Sequence, residues 1–150
     1  MVKMIRAFML RIILENAIVF EEKAYDFYET AERRVEKEEV SQLLNELKAE
    51  ELKHRLRLEE AQRQANIHLC CAADTEFEET MIEMRADWPE VTADSDRIDI
   101  LRVAYGKEIQ ARDYYLTMRD KFPESFAKSV FDALAKEEER HAGLIAAKMG

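Results

Sequence analysis

The chain has 150 residues, which suits one domain with a substantial core. Only three Gly and two Pro occur among many good helix formers, so the composition favours a mostly helical fold. The net charge of −9 argues against a nucleic-acid partner, which requires a basic face, and no apolar run approaches the ~20 residues that cross a membrane.

The N-terminal segment loosely resembles a signal peptide. Lys3 and Arg6 precede an apolar stretch over residues 7–14. However, Arg11 interrupts this stretch, and no small-residue cleavage site follows before Glu15. We therefore expect the segment to lead into the first helix, and the protein to be cytoplasmic.

Apolar residues at helical spacing predict four long helices in one all-α domain. Phe122-Pro123 separates the last two, because proline disfavours a helix interior. Short links within each hairpin and one long link predict an antiparallel four-helix bundle with hairpins at about 8–66 and 96–148 and a crossover at about 67–95. The predicted helices are about 8–34, 40–66, 96–120 and 124–148.

The crossover contains signals for a short fifth helix. Thr75 and Glu78 form a possible capping box, and Trp88-Pro89 is expected to end the helix. Nearby, Cys70 and Cys71 are too few for a disulfide framework, which is consistent with a reducing compartment. Together with His68 they could form a soft metal site, but a loop or helix end is the favoured interpretation.

A Glu-x-x-His step occurs twice, and each time a lone Glu lies 30 residues before the Glu of the step. One offset of 87 residues carries the first triplet onto the second, and between residues 13 and 54 it gives twelve identical pairs without a gap. Such self-similarity predicts two equivalent helical hairpins. The two triplets are Glu21, Glu51, His54 and Glu108, Glu138, His141.

These residues form the ligand set of a carboxylate-bridged dinuclear metal site in a four-helix bundle. Residues three apart share a helix face, so each Glu-x-x-His step can approach one ion. Carboxylates and imidazoles without thiolate suit iron or manganese, with zinc as a competitor. The alternative, solvated surface acids, fits the duplication poorly, because core-facing carboxylates are costly unless they are paired or metal-bound.

At these motifs the chain resembles the ferritin-like superfamily of diiron-carboxylate proteins, and within it the rubrerythrin-like branch. The resemblance covers about residues 10–148 and rests on the paired Glu-x-x-Ala-x-x-aromatic-Tyr and Glu-Glu-x-x-His motifs. It implies two iron ions, with the lone Glu21 and Glu108 binding one each and the histidines capping them. It also implies that Glu51 and Glu138 bridge the ions.

The resemblance further implies an oxidoreductase that reduces peroxide or dioxygen and protects the cell from oxidative stress. Rubrerythrins carry a C-terminal rubredoxin module, whereas this chain ends nine residues after His141. We therefore expect an external electron donor such as a rubredoxin-type protein, and a homodimer. Two alternatives stay open: an iron-handling or ferroxidase protein, and a non-catalytic metal-binding bundle.

Several neighbouring residues are candidates for supporting roles. Tyr28 and Tyr115 lie seven residues after the lone glutamates, so they could hydrogen-bond ligand carboxylates, act as radical relays or simply fill the core. Tyr105, one turn before the helix 3 ligand, could approach the metals. Glu50 and Glu137 could support the ligands, although solvated faces are favoured for them. Glu22 is an alternative to Glu21 but breaks the repeat register.

Overall fold

The computed structural model describes residues 2–69, 87–122 and 125–150. It confirms the predicted all-α bundle, and these residues contain no strand. The first helix begins earlier than predicted, because the segment before residue 8 contains neither Gly nor Pro and continues the helix. The predicted fifth helix lies outside the described residues. The four helices are α1 (Val2–Glu32), α2 (Glu38–Leu69), α3 (Arg97–Lys121) and α4 (Ser125–Met149).

Ion pairs between helices establish their directions. Lys48 of α2 contacts Glu32 of α1 at 2.8 Å, and Arg119 of α3 contacts Asp132 of α4 at 3.1 Å. In each hairpin, the end of one helix therefore lies beside the start of the next, which is the antiparallel arrangement. The helices α1 and α3 also pack together, as do α2 and α4.

The crossover follows from these directions. Tyr28 of α1 reaches Glu108 of α3, and Tyr115 of α3 reaches Glu21 of α1, so α1 and α3 are antiparallel. Because α2 is antiparallel to α1 as well, α2 and α3 point the same way. Leu69 and Arg97, which the crossover connects, therefore lie toward opposite ends of the bundle. None of the described helices combines the length and apolarity needed to cross a membrane.

The core consists of two apolar clusters separated along every helix by the predicted ligands. One cluster contains residues that precede Glu21 in α1 and follow Glu108 in α3. The other contains residues that follow Glu21 and precede Glu108. Burying one large apolar side chain contributes roughly 1.5–3 kcal/mol, so two such clusters can hold a polar layer between them. The largest fully buried members include Phe20, Phe131, Leu14, Leu44, Leu47 and Leu101.

Local signals set the ends of α3. The Asp96 side chain accepts a hydrogen bond from the Asp99 backbone N–H at 2.8 Å, which caps the first turn. At the other end, the Phe122 N–H donates to the Met118 carbonyl at 2.9 Å, and Pro123 follows in the sequence. These two signals place Glu108 near the middle of the helix, level with the other predicted ligands.

Candidate metal centre

All six predicted ligands come together in one buried layer at the middle of the bundle. Each helix contributes to this layer: α1 and α3 supply one Glu each, and α2 and α4 supply one Glu-x-x-His step each. None of the six has exposed surface, although charged residues are rarely fully buried unless they are paired. The six are Glu21, Glu51, His54, Glu108, Glu138 and His141.

The candidate ligands form two overlapping groups, and in each group one ligand atom per residue lies within 4.8 Å of the others. The first group, set A, comprises Glu21, Glu51, His54 and Glu138, and the second, set B, comprises Glu51, Glu108, Glu138 and His141. Glu51 and Glu138 belong to both sets. This overlap is the arrangement expected of carboxylates that contact two ions at once.

The polar atoms of this layer lack partners within the protein. In the described part of the chain, eight buried side-chain nitrogen or oxygen atoms have no hydrogen-bond partner, and seven of them belong to the six candidate ligands. Buried polar groups are normally hydrogen-bonded, so a cluster of exceptions needs an explanation. Divalent cations would satisfy these oxygens and nitrogens directly, and the residues present therefore fit a pair of metal ions.

Both histidines direct the same ring nitrogen toward the carboxylates. Nδ1 of His54 lies 3.0 Å from Glu138 Oε1 and 3.5 Å from Glu51 Oε2. Nδ1 of His141 lies 3.5 Å from Oε2 atoms of Glu108 and Glu138. Burial by itself lowers the pKa of His141, but the hydrogen bonds to these carboxylates raise it to about 9. A metal ion bound at Nδ1 would therefore displace a proton.

The pKa values of the carboxylates in the layer are shifted in opposite directions. Burial, reinforced by neighbouring carboxylates, raises the pKa of Glu51 to about 8 and that of Glu138 to about 7. Burial also acts to raise the pKa of Glu108, but the Lys107 ammonium and His141 hold it well below its usual range. Four carboxylates this close together require additional positive charge to stay ionised at neutral pH.

Two tyrosines each form a hydrogen bond to a candidate ligand of the other hairpin. The hydroxyl of Tyr28 donates a hydrogen bond to Glu108 Oε1, and the hydroxyl of Tyr115 donates to Glu21 Oε1. Burial and these nearby carboxylates raise the pKa of both phenols well above 10, so they stay neutral and keep donating. Of the roles considered from the sequence, the structure supports that of hydrogen-bond partners to the candidate ligands.

Glu137 differs from the solvated residue favoured by the sequence. Its Oε2 lies 2.7 Å from His54 Nε2, and its Oε1 accepts a hydrogen bond from Arg57 at 2.8 Å. These two hydrogen bonds lower the pKa of Glu137 to about 2, against the effect of partial burial. A carboxylate on Nε2 orients the ring and leaves Nδ1 available to bind a metal. The interaction joins α2 to α4, so the spacing along the chain could not reveal it.

Lys107 was not identified from the sequence, although it is fully part of the layer. Its ammonium donates hydrogen bonds to Glu51 Oε1 at 2.9 Å and Glu108 Oε1 at 3.0 Å. It also lies 4.3 Å from the centre of the Tyr28 ring. The available signal was its spacing, since Lys107 follows Ala104 by three residues and precedes Ala111 by four, which places it on the buried face.

Comparison with known proteins agrees with this geometry. A family model described as Rubrerythrin matches residues 13–94 and 99–150. The chain belongs to the rubrerythrin family. A solved structure, a hypothetical protein from Pyrococcus furiosus, is 24% identical over 93% of this chain and 87% of that protein, with a TM-score of 0.70, and therefore shares its fold. No protein with a curated description matches.

Within this rubrerythrin-family bundle, the structure does not support the possibility, raised from the sequence, that Tyr105 approaches the metals. Its side chain is 37% exposed, whereas all six candidate ligands are fully buried, so it lies on the surface of α3. Tyr105 lies three residues before Glu108, which is slightly less than a full turn, and a residue at the edge of the buried face can turn outward. The space against Glu108 is instead taken by Lys107 and Tyr28.

The remaining sequence candidates can be placed more briefly. Glu22 is 49% exposed, which confirms that Glu21 is the residue that enters the layer. Glu50 belongs to a group with the two histidines, but it accepts a hydrogen bond from Lys53 at 2.7 Å. Cys70 and Cys71 lie outside the described residues, and so does the side chain of His68.

We expect Glu137→Gln to weaken metal binding by roughly tenfold to a hundredfold, the usual effect of losing a hydrogen-bond partner of a histidine ligand. The amide retains the size of the side chain but removes the charge that holds His54 Nε2. Calorimetric titration with Mn²⁺ measures the change. Glu139→Gln is the matched control, because this neighbouring side chain is 70% exposed and should leave the affinity unaltered. Equal affinity in both variants would contradict the assigned role.

Proposed function

We propose that this rubrerythrin-family protein is a dinuclear-metal oxidoreductase that holds two iron ions and reduces peroxide or dioxygen. The supporting observation is the layer of six buried ligands whose unpartnered atoms face a common space. Oxygen and imidazole donors without thiolate suit iron or manganese better than soft metals, and iron is the one suited to this redox reaction. Manganese and zinc are the alternatives.

Each of two ions would have four candidate protein ligands. Set A would hold one ion through His54 and Glu21, set B would hold the other through His141 and Glu108, and Glu51 and Glu138 would bridge them. A bound ferrous pair would supply one electron from each ion, so that hydrogen peroxide takes up two electrons and two protons and leaves as two waters.

The chain itself supplies orientation and a dry environment. The neutral phenols of Tyr28 and Tyr115 hold one oxygen of Glu108 and one of Glu21, and the other oxygen of each carboxylate has no hydrogen-bond partner and is available to a metal ion. Glu137 holds the ring of His54. The two apolar clusters separate the layer from water on both sides along the bundle axis. Because these ligands are held in place, their reorganisation during electron transfer costs little free energy.

Turnover requires two electrons from outside the protein for every peroxide reduced. We propose that an external donor, such as a rubredoxin-type protein, supplies them to a homodimer of this chain in the cytoplasm. Particle size distinguishes this proposal from the iron-storage alternative. A dimer in size-exclusion chromatography with light scattering supports the redox enzyme, whereas a large shell supports storage.

Anaerobic loading with Fe²⁺ followed by peroxide tests the reaction. The proposal expects a rise in near-ultraviolet absorbance as the ions are oxidised, with one peroxide consumed for each pair of ions. Dioxygen is compared in the same apparatus, and Glu138→Ala serves as a control that lacks a ligand of both sets. A protein that binds two Fe²⁺ ions but responds to neither oxidant supports the non-catalytic metal-binding alternative and overturns the proposal.

A further inference from the structure

The two ion sets are unequal because a positive charge lies against one of them. The Lys107 ammonium contacts Glu51 Oε1 and Glu108 Oε1 at 2.9 and 3.0 Å, and both glutamates belong to set B. The other oxygen of Glu51, Oε2, has no hydrogen-bond partner and lies 3.5 Å from His54 Nδ1, on the side of set A. Lys107 therefore occupies the side of Glu51 that set B needs, and it leaves the side of set A accessible.

This charge breaks the symmetry of the internal repeat. The 87-residue offset relates Lys107 to Phe20, which is 1% exposed and packs edge-on against Trp88 at 5.2 Å. The first half of the chain thus has an apolar ring where the second half has a cation, although the ligands themselves are repeated without change. The difference between the two sets therefore comes from the residues that surround the ligands, because the ligands themselves are the same in both halves.

We propose that Lys107 makes the two metal sites unequal in affinity, because its ammonium competes with the ion of set B for Glu51 and places a positive charge against Glu108 Oε1, beside the same set. This inference rests on the proposed dinuclear site but not on the proposed reaction. In a layer with four ionised carboxylates and one ammonium, a divalent ion in set A leaves a formal charge of −1. A second divalent ion would bring the layer to +1 unless Lys107 moved away, so the second ion binds more weakly.

A cavity beside Lys107 provides space for its side chain. A surface cavity that adjoins Lys107 is also lined by Asp87, Trp88 and Gln110. Gly106 forms part of the same wall, and a Cβ added there would meet no atom within 4 Å, so the space beside the helix is open. We infer that the ammonium turns into this cavity, which Asp87 also lines, as an ion enters set B.

The histidine of set B also has less support than that of set A. Glu137 contacts His54 Nε2 at 2.7 Å, and the repeat relates Glu137 to Glu50. Within the described residues, however, the group within hydrogen-bonding distance of His141 Nε2 is the Arg140 guanidinium, at 3.2 Å. A cation beside the ring disfavours the charge that a metal adds. A carboxylate oxygen of Glu50 lies 3.9 Å from the Arg140 guanidinium and offsets part of this charge, so Lys107 is the main reason that set B is the weaker set.

Calorimetric titration of the metal-free protein with Mn²⁺ tests the inference. Wild-type protein is expected to bind two ions in two steps that differ by about tenfold or more in affinity. Lys107→Met removes the ammonium at similar length, so the weaker step should tighten by roughly tenfold to a hundredfold while the stronger step changes little. Lys107→Arg retains the charge and should keep the two steps unequal. Glu108→Ala should abolish the weaker step, and Glu21→Ala the stronger, which assigns each step to a set.

Circular dichroism checks that each variant is folded, and Lys107→Gln provides a second neutral side chain if the Met variant is not. The inference is overturned if wild-type protein fills both sites with equal affinity. It is also overturned if the weaker step stays unchanged or weakens in the folded neutral variant. Neither result affects the dinuclear site, because wild-type protein binds two ions in both cases.

Discussion

Glu51→Ala and Glu138→Ala are each expected to reduce metal binding from two ions per chain to one or none. Both residues belong to set A and to set B, so either substitution removes a ligand from both sites. Loss of a bridging carboxylate also increases the repulsion between the two ions, because its shared negative charge is what allows two divalent cations to lie close together. Anaerobic equilibrium dialysis with Fe²⁺ or Mn²⁺, followed by elemental analysis, measures the stoichiometry.

Two control variants make this result specific. Glu21→Ala removes a ligand of set A only, so one ion should remain in set B. Glu139→Ala alters an acid of α4 that is 70% exposed, and it should leave two ions bound. The dinuclear assignment is wrong if both bridge variants still bind two ions as tightly as wild-type protein.

The six candidate ligands could be predicted because their signals are local. Residues three apart on a helix share a face, and the 87-residue repeat shows that the same faces are used twice. The burial of Glu21 and the exposure of Glu22 follow from the same helical phase. The four helices and the crossover could be predicted for a similar reason, since helix length, link length and turn residues are all properties of contiguous sequence.

The roles of Lys107 and Glu137 could not be predicted because they depend on contacts between helices. Lys107 bonds to Glu51 across 56 positions of the chain, and Glu137 reaches His54 across 83. In the sequence, both are charged residues beside a ligand. The spacing of Lys107 indicates a buried position, but the groups that each side chain contacts depend on how the helices pack against one another. Helix packing also explains Tyr105, which lies on the same helix as Lys107 but faces solvent.

A similar limit applies to the tyrosines. The repeat places Tyr28 and Tyr115 two turns after Glu21 and Glu108, but it does not identify the glutamate that each hydroxyl contacts. In the structure each hydroxyl crosses to the other helix, so Tyr28 holds Glu108 and Tyr115 holds Glu21. The exchange requires α1 and α3 to be antiparallel neighbours. It couples the two halves of the repeat into one site.

The second large expected effect is on stability: removing the metal should lower the melting temperature of the protein substantially. A ligand that binds only the folded state stabilises it by about 2.7 kcal/mol for one site at a hundredfold excess over the dissociation constant. For a chain of this size, each kcal/mol shifts the melting temperature by roughly 2–4 °C, so one occupied site gives about 5–11 °C. Differential scanning calorimetry with Mn²⁺, and again with a chelator, measures the shift.

The substitution Glu138→Gln separates this effect from nonspecific binding to an acidic surface. In the absence of metal, the variant should melt above wild-type protein, because burial and the adjacent Glu108 and Glu51 carboxylates disfavour the charge that the substitution removes. The amide can also donate to neighbouring carboxylate oxygens that lack partners. With metal the order should reverse, since an amide is a weaker ligand than a carboxylate and Glu138 serves both sets. Metal that stabilised both proteins equally would have to bind elsewhere, and the buried layer would then not be the metal site.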